Sequence, residues 1–454
     1  MIIKNLIYIL QSENYNWTRF LKFAYRKLDW RDLEKRKKLV WTPKARLIYA
    51  LTIFLFFFFA FILIEIFSGI GILFSFFLIA FLPFIIGVSL LIIKPADFIL
   101  KWRRIERAKT ILAGKKLTVI GITGSYGKTS AKEILNTILA EKFKVLKTPE
   151  NINTDIGIAN FIIKNDNKLN ECDIFIVEMG AYKIGDIAKI CNMVEPDYSI
   201  LSGINESHLE RFGSLDNIIN GKFELPERTN KISFLNFDDE NIRNNFNRFK
   251  IREAVKISSS EARNIKLKDN FEGLEFEFRG EKFSSKLLAM HNIALILLGA
   301  EIAKKLGMNY AKISESVAKI KPLPHRLEPI YNSHSNIWVI DDSYNANFNG
   351  ILSGLKILER FSGRKIILTP GLVELGGKSR KIHNKIGEAY AEKANLVLLI
   401  KNSATKYILE GLNKNNFQEF KIYNSAKDAH NDLTNVLKLG DAIIFQNDWP
   451  DNYL

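Results

Sequence analysis

The string GITGSYGKT at residues 121–129 combines the residue types that bind phosphate. In such a loop, backbone N–H groups and a helix N-terminus stabilise anionic oxygens, a lysine reaches the terminal phosphates and a hydroxyl holds Mg²⁺. The generic motif requires glycine at position 122, where this chain has Ile122, so the generic match is incomplete. The string nevertheless lies between a predicted strand and a predicted helix, which is the context such a loop needs. We therefore predict nucleotide binding, rather than a chance glycine-rich turn, by the residues Gly124, Ser125, Gly127, Lys128 and Thr129.

Short apolar runs alternate with segments of helical spacing around this loop. Strands alternating with helices indicate an α/β fold with a mainly parallel sheet. In the first part of this region the predicted strands are residues 117–123, 173–178 and 198–202, and the predicted helix is residues 128–141. Residues 232–288 have short alternating patterns that predict a small β-rich insertion or edge. A second α/β unit follows position 324, with predicted strands at residues 338–340, 365–368, 396–400 and 441–445.

Further polar strings follow the loop in order. Taken alone, each has an ordinary explanation: His208 as a surface or capping histidine, Asp341 and Asp342 as a strand-end turn, and Lys222 as a solvated helix charge. Their ordered recurrence after a phosphate loop favours a shared site instead. The strings are TPENINTDIG (148–157), VEMGA (177–181), HLERFGS (208–214), GKFE (221–224), LNFDD (235–239), HN (291–292), HRLE (325–328), DDSYNAN (341–347) and GLVELG (371–376) with His383.

Together these strings resemble the Mur ligase family over roughly residues 118–445, and its MurF type most of all. MurF ligases add D-alanyl-D-alanine to a nucleotide-linked muramoyl peptide. The resemblance implies a central P-loop ATPase domain and a C-terminal Rossmann-like α/β domain. It also implies an ATP-dependent, ADP-forming amide ligase that uses ATP and Mg²⁺. The reaction would pass through an acyl phosphate made from a carboxylate acceptor, which an amine donor then attacks.

The resemblance also implies roles for single residues. Glu178 and His208, with Thr129, would hold the metal. Lys222 matches a lysine that is often carbamylated, and Arg326 matches an arginine that begins the third domain and contacts ATP. The catalytic candidates are thus Lys128, Lys222, Arg326 and His208. Beyond the phosphate loop, the implied nucleotide-binding residues are Asn236, Asn292, Arg326 and Asp342.

The chain departs from the MurF pattern in three places. Nothing before Lys116 resembles the usual N-terminal uridine-binding domain, Phe348 replaces the usual proline, and the family's usual ending is missing after Phe445. The substrates would be a muramoyl peptide and D-alanyl-D-alanine, or another acceptor such as a poly-amino acid or a lipid-linked molecule. A membrane-anchored ATP-binding scaffold is the alternative from another class. A motor or transport ATPase is disfavoured, because the DDSYNAN string has no role in one.

The most apolar part of the chain precedes the ligase-like region. Residues 47–64 and 70–93 are free of charge and, at about 1.5 Å per residue, each reaches about 27 Å or more, enough to cross a bilayer core of about 30 Å. Basic residues flank both outer ends, so the positive-inside rule places both flanks in the cytoplasm. We predict an N-terminal transmembrane helical hairpin in the cell membrane, with the catalytic domains on the cytoplasmic side. The alternative is a buried hairpin in a soluble domain.

Charge supports a membrane partner. Residues 1–46 hold twelve lysines or arginines against four acidic residues, which accounts for half of the net charge of +16. Because this excess adjoins the apolar block, we predict contact with the lipid bilayer rather than with nucleic acid. The alternative is an ordinary solvated basic segment. Cys172 and Cys191 form no metal-type pair. The predicted organisation is a basic cytoplasmic segment (1–46), a transmembrane hairpin (47–94), a connector (95–115), a central ATP-binding domain (116–322) and a C-terminal domain (323–454).

Overall fold

The computed structural model describes residues 2–13, 15–26, 30, 39–67, 70–72, 77–150, 152–207, 209–268, 271–344, 347–373 and 375–446. The chain divides into two compact units, an N-terminal unit within Met1–Arg103 and a catalytic unit within Arg104–Trp449. The helices that begin in the N-terminal unit are α1 (Ile2–Ser12), α2 (Trp17–Arg26), α3 (Pro43–Phe67) and α4 (Leu82–Ala113).

Polar contacts join α3 to α4 inside the N-terminal unit. The hydroxyls of Thr52 and Ser89 are buried and 3.1 Å apart, and Lys44 Nζ donates to Asp97 Oδ2 at 2.8 Å. The ring of Trp17 in α2 lies directly against Gly87, where a Cβ would be 0.9 Å from a ring atom. Glycine at this position therefore lets α2 pack onto α4.

Within the described residues, α3 and α4 are the two helices long and apolar enough to cross a membrane. Their bounds differ from the prediction. The second apolar run, residues 70–93, is not one helix, because α4 begins only at Leu82 and then continues through Pro95 to Ala113. Pro83 lies in the first turn of α4, where its missing N–H leaves no hydrogen bond unmade. Most of the predicted connector is therefore helical.

A six-stranded parallel sheet forms the first half of the catalytic unit, in the order β2-β3-β1-β4-β5-β6. Its strands are β1 (Thr118–Thr123), β2 (Val145–Lys147), β3 (Ile174–Glu178), β4 (Tyr198–Leu201), β5 (Ile232–Asn236) and β6 (Ala254–Ile257). Side chains of β1 alternate between two hydrophobic cores, with Ile120 and Ile122 in one and Val119 in the other. A sheet covered on both faces in this way explains the nearly continuous apolar strands of the sequence.

Helices and a small antiparallel sheet complete this half. The helices are α5 (Lys128–Leu139), α6 (Asp155–Lys164), α7 (Asp166–Glu171), α8 (Asp186–Val194), α9 (Leu209–Phe212), α10 (Leu215–Glu227), α11 (Glu240–Asn245), α12 (Asn292–Lys305) and α13 (Tyr310–Val317). The small sheet consists of β7 (Arg263–Leu267), β8 (Leu274–Phe278) and β9 (Glu281–Ser285). It confirms the β-rich insertion predicted between residues 232 and 288, although β5 and β6 belong to the parallel sheet.

The second half holds another six-stranded sheet, ordered β10-β11-β15-β12-β13-β14. Its strands are β10 (Glu328–Asn332), β11 (Ile337–Asp342), β12 (Lys365–Thr369), β13 (Leu396–Ile400), β14 (Phe420–Tyr423) and β15 (Ala442–Gln446). All pairs are parallel except β10 with β11. The helices here are α14 (Phe348–Leu358), α15 (Ser379–Lys393), α16 (Thr405–Lys414) and α17 (Ala426–Val436). The predicted strands 338–340, 365–368, 396–400 and 441–445 are confirmed, whereas β10 and β14 were not predicted.

Candidate active site

The phosphate loop connects β1 to α5 and requires glycine at two positions. Gly127 immediately precedes α5 and has a φ of +75°, which L side chains rarely adopt. A Cβ at Gly124 would lie 2.2 Å from Ser202 Oγ, so only glycine allows the loop to approach the end of β4. The loop therefore leads directly into the N-terminus of α5, whose free N–H groups can bind a phosphate.

Neighbouring segments hold the loop in place. The Ser202 hydroxyl is within hydrogen-bond reach of the carbonyl oxygens of Thr123 and Tyr126, and the Ser125 N–H donates to Gly203 O at 2.7 Å. The Tyr126 hydroxyl donates to Asp239 Oδ2 at 2.7 Å. Both carboxylate oxygens of Asp239 also accept backbone N–H groups. The loop is thereby fixed before any phosphate arrives.

Lys128 is the first residue of α5, directly after the loop. Its Nζ donates to Gly124 O at 2.8 Å, which bends the side chain back over the loop. Removal from water lowers the pKa of Lys128, Glu178 opposes this, and Arg326 adds to the lowering. Because Arg326, in the second half of the unit, affects the pKa of Lys128, the two predicted cations lie in one region.

Glu178 ends β3 beside the loop and is buried. Its Oε2 accepts the Thr129 hydroxyl at 3.1 Å and lies 3.1 Å from Lys132 Nζ, and its Oε1 accepts the Asn153 amide at 3.3 Å. Burial alone would raise the pKa of Glu178, but Lys128 and Lys132 outweigh burial and lower it. The carboxylate is therefore ionised at neutral pH.

The donor set fits a hard divalent cation. The Thr129 hydroxyl and the Glu178 carboxylate are oxygen ligands of the kind that Mg²⁺ prefers, and Mg²⁺ usually takes its other ligands from phosphates and water. His208, the other predicted ligand, lies outside the described residues. Within the described ranges, no group of three or more histidine, cysteine or acidic side chains is arranged to hold a metal. Among the described residues, Thr129 and Glu178 are thus the predicted metal ligands that the structure brings together.

Lys222 is buried in α10. Burial, and next Lys128, bring the pKa of Lys222 well below its ordinary value, while Asp186 and Glu224 act in the opposite direction. Glu224 accepts the backbone N–H groups of Gly185 and Ala188 at the start of α8, which fixes α10 against that helix. The environment favours a neutral lysine amine.

Arg326 sits between two residues with left-handed backbone, His325 (φ 59°) and Leu327 (φ 54°). Its guanidinium lies 4.6 Å from the centre of the Tyr344 ring. Asp342 ends β11 and is buried, which raises the pKa of Asp342 to about 8 despite the nearby Arg326 charge. Both predicted residues thus lie at the carboxyl end of the second sheet.

Asn236 and Asn292, whose resemblance to the family implies contact with the adenine side of the nucleotide, are connected to the loop through different contacts. Asn236 donates its amide to Ser202 O at 2.8 Å and accepts the Asp238 N–H at 3.1 Å, so it fixes the segment that holds the loop. Asn292 begins α12, and Leu295 of that helix would be 3.5 Å from a Cβ at Gly127. Neither contact by itself defines an adenine pocket.

Sequence reasoning missed three residues of the site. Lys132 could have been found, because it lies four residues after Lys128 and so shares its helix face. Asn153 lies in the TPENINTDIG string, but the sequence alone did not indicate that its amide donates to Glu178. Tyr126 occupies the variable position of the loop, and only the fold shows that it reaches Asp239.

The fold and the site define a protein with a phosphate-type loop between β1 and α5 and a second α/β domain whose Arg326 acts electrostatically on Lys128 of that loop. Residues 122–303 match the Mur ligase middle domain, and residues 325–446 match the Mur ligase, glutamate ligase domain. Because two consecutive domains of one family match, the chain belongs to the Mur ligase family.

Relatives and solved structures agree with this assignment. UDP-N-acetylmuramoyl-tripeptide--D-alanyl-D-alanine ligase of Escherichia coli (strain K12) is 30% identical over 60% of this chain and 61% of its own length. The corresponding ligase of Buchnera aphidicola subsp. Baizongia pistaciae is 32% identical over 62% of this chain and 63% of its own. The chain thus spans about three fifths of these relatives.

Among solved structures, the MurF ligase of Thermotoga maritima in complex with ADP has a TM-score of 0.67 and 25% identity, covering 77% of this chain and 80% of its own. A pseudomurein peptide ligase type C from Methanothermus fervidus shares the fold, with a TM-score of 0.56 and 20% identity over 74% of this chain and 77% of its own. Both matched family domains, residues 122–303 and 325–446, lie within the catalytic unit.

Gly203 offers a direct test of the loop. A Cβ there would lie 2.2 Å from the Tyr126 ring, so we expect Gly203→Ala to displace the loop. Binding of a fluorescent ATP analogue should weaken by about ten-fold or more, equivalent to about 1.4 kcal/mol. Gly377→Ala is the control, because a Cβ at Gly377 meets no atom within 4 Å. Equal affinities for Gly203→Ala and the wild type would show that this contact does not shape the site.

Proposed function

We propose that this chain is a membrane-anchored, ATP-dependent ligase that joins a carboxylate to an amine through an acyl phosphate. The proposed reaction is of the MurF type, with a muramoyl peptide as acceptor and D-alanyl-D-alanine as donor, in the synthesis of peptidoglycan precursors. The supporting observation is that Lys128, beside the phosphate loop, interacts electrostatically with both Glu178 and Arg326. The names of the relatives support the substrates.

The chemistry explains why these charges are needed. A carboxylate does not react readily with an amine, because oxide is a poor leaving group. Transfer of the terminal phosphoryl group of ATP to a carboxylate oxygen releases ADP and gives an acyl phosphate. The amine then attacks the acyl carbon, phosphate leaves with the C–O bonding electrons, and the amine proton passes to solvent or a base. Positioning and charge neutralisation are the main tasks of the protein in phosphoryl transfer.

Each candidate then has a task. Lys128 and Arg326 neutralise charge on the phosphates, and the N–H groups of Gly124, Ser125 and Gly127 cradle them. Asn236 and Asn292 border the adenine side, and Asp342 orients Arg326 from the end of β11. Mg²⁺, held by Thr129 and Glu178 with His208, would screen the negative charge that the phosphates carry. Approach of the second α/β domain excludes water that would hydrolyse the acyl phosphate.

Membrane anchoring is proposed from the surface of α3. Phe54, Phe57 and Phe61 are 63%, 66% and 61% exposed, and further phenylalanines are exposed along the same helix. Apolar patches of this extent are unusual on proteins in water. A bilayer would cover them, while Lys44, Asp97 and Lys101 form a charged cluster at the other end of the hairpin. We place the catalytic unit on the cytoplasmic side.

A lipid-linked acceptor is the second candidate. The matched domains begin at residue 122, and the preceding part of the chain carries apolar helices instead of a recognised nucleotide-binding domain. An acceptor carried on a membrane lipid would meet an enzyme held at the same surface. The reaction at the phosphate loop would be unchanged.

Release of ADP by the detergent-solubilised chain tests the reaction. We expect ADP to form only when ATP, Mg²⁺, UDP-linked muramoyl tripeptide and D-alanyl-D-alanine are all present. Lys128→Ala should lower the rate by at least about a hundred-fold, since one preorganised charge-stabilising contact contributes about 10²–10³. Lys142→Ala, which removes an exposed lysine, is the control. Activity with a lipid-linked acceptor but not with the UDP-linked one, each with the amine donor present, would favour the second candidate. ATP binding without turnover on either acceptor would favour a scaffold.

Carbamylation of Lys222 is tested with labelled bicarbonate. A neutral amine attacks CO₂, forms an N–C bond and loses one proton, and the low pKa of Lys222 favours this form. We expect a carbamate carbon resonance in the wild type that is lost in Lys222→Ala and kept in Lys183→Ala. Removal of CO₂ should lower activity by about ten-fold or more, and bicarbonate should restore it, since partners of metal ligands contribute about 10–100-fold. An unlabelled, fully active wild type would argue against the carbamate.

Membrane anchoring is tested by alkaline carbonate extraction of cell membranes. The wild-type chain should stay in the membrane and dissolve only in detergent. Phe57→Lys combined with Phe61→Lys should shift a large part of the chain to the soluble or aggregated fraction, because a lysine at mid-bilayer costs about 2.5–3.5 kcal/mol. Leu439→Lys, at an exposed position of the catalytic unit, should behave as the wild type. Complete extraction of the wild type by carbonate would contradict a membrane span.

A further inference from the structure

Lys132 is a buried cation that the proposed reaction does not use. It lies in α5 one turn after Lys128 and its side chain is 0% exposed. Its Nζ is 3.1 Å from Glu178 Oε2, the same oxygen that accepts the Thr129 hydroxyl. Among the described residues, that ammonium group finds no partner with hydrogen-bond geometry. Charge attraction to Glu178 is therefore its main compensation, because the next carboxylate oxygen, Glu133 Oε1, is farther away at 4.0 Å.

Burial makes this pair interdependent. Moving an ammonium or a carboxylate out of water is costly unless an opposite charge is close. Lys132 and Glu178 compensate each other at 3.1 Å, whereas Lys128 Nζ points to the carbonyl oxygen of Gly124. Lys132 thus supplies at Glu178 the positive charge that a metal ion would supply.

The local charge disfavours binding of a metal ion without nucleotide. Glu178 is the acidic side chain that contacts Thr129, and three cations, Lys128, Lys132 and Arg326, act in this region. Two further acidic groups nearby already have partners, Glu133 in Lys147 and Asp239 in the Tyr126 hydroxyl. A divalent cation entering alone would meet this excess of positive charge at short range. Nucleotide phosphates bring several negative charges and further oxygen ligands, and so reverse the balance.

We propose that Lys132 is a built-in counter-ion of Glu178, which keeps divalent cations out of the site until nucleotide phosphates arrive. The metal then enters together with the nucleotide. This inference rests on the proposed function, in which Thr129 and Glu178 hold Mg²⁺. Lys132 is a positioning residue in this scheme, because it touches a metal ligand and not the reacting atoms.

Binding of Mn²⁺ in the absence of nucleotide tests the proposal. The probe is Mn²⁺ alone, measured by electron paramagnetic resonance on the full chain in detergent. We expect weak binding to the wild type, and binding at least about ten-fold tighter to Lys132→Met, because one positive charge next to the ligand is gone. Lys132→Arg keeps the charge and should bind as weakly as the wild type.

Two controls make the result specific, and a second test variant covers a failure to fold. Lys319→Met breaks an exposed lysine–glutamate pair, with Glu141 at 2.7 Å, and should leave Mn²⁺ affinity unchanged. Adding Glu178→Gln to Lys132→Met should abolish the gain, which separates this site from adventitious Mn²⁺ binding. Lys132→Gln replaces Lys132→Met if the latter fails to fold, as judged by thermal unfolding.

The outcomes separate this inference from the proposed function. Unchanged or weaker Mn²⁺ binding by folded Lys132→Met or Lys132→Gln would overturn it, as would tight Mn²⁺ binding by the nucleotide-free wild type. If Lys132→Met gains Mn²⁺ affinity but the wild type shows no ligase turnover, the counter-ion role of Lys132 stands and the proposed reaction is contradicted. If the wild type shows ligase turnover but Lys132→Met gains no Mn²⁺ affinity, the proposed reaction stands and the counter-ion role is contradicted.

Discussion

The adjacency of three parallel strands is the constraint on which the catalytic unit depends. In the order β3-β1-β4, Ile122 pairs with Glu178 on one side and Thr123 pairs with Leu201 on the other. The loops that leave these strands must therefore meet at one edge of the sheet, which is where open α/β sheets bind ligands. The phosphate loop, the Glu178 carboxylate and the Ser202–Gly203 segment are brought together by strand pairing before any side chain contributes.

Buried charge then sets the chemistry of this edge. Glu178 stays ionised because Lys128 and Lys132 outweigh its burial, and Lys222 is disfavoured as a cation because burial and Lys128 act in the same direction. One region thus holds the Glu178 carboxylate, cations that can bind phosphate, and Lys222, whose surroundings favour the neutral amine. Removing any one of these charges would change the ionisation of the others, so their effects on catalysis will not be additive.

The sequence predicted those parts of the fold that depend on local pattern. Strands β1, β3 and β13 were recognisable because buried parallel strands are short apolar runs, and the phosphate loop because its glycines and lysine have fixed spacing. The antiparallel edge strand β10 was missed because half of it is polar. The continuation of α4 beyond residue 94 was missed because the apolar run ends there and basic residues follow. Tyr126 and Asp239 are far apart in sequence, so their contact depends on strand order, which one sequence does not reveal.

The second α/β domain presents Arg326 through a strained turn. His325 and Leu327 both have positive φ, which costs an L residue about 1–2 kcal/mol, so the turn persists only if other contacts hold it. His325 Nδ1 lies 2.7 Å from Asp341 Oδ2, and the Tyr344 N–H donates to His325 O at 3.2 Å. Both contacts come from the end of β11 and the residues after it. The strand that carries Asp342 therefore also fixes the direction of Arg326, so the second sheet contributes a charge at a set position rather than a mobile side chain.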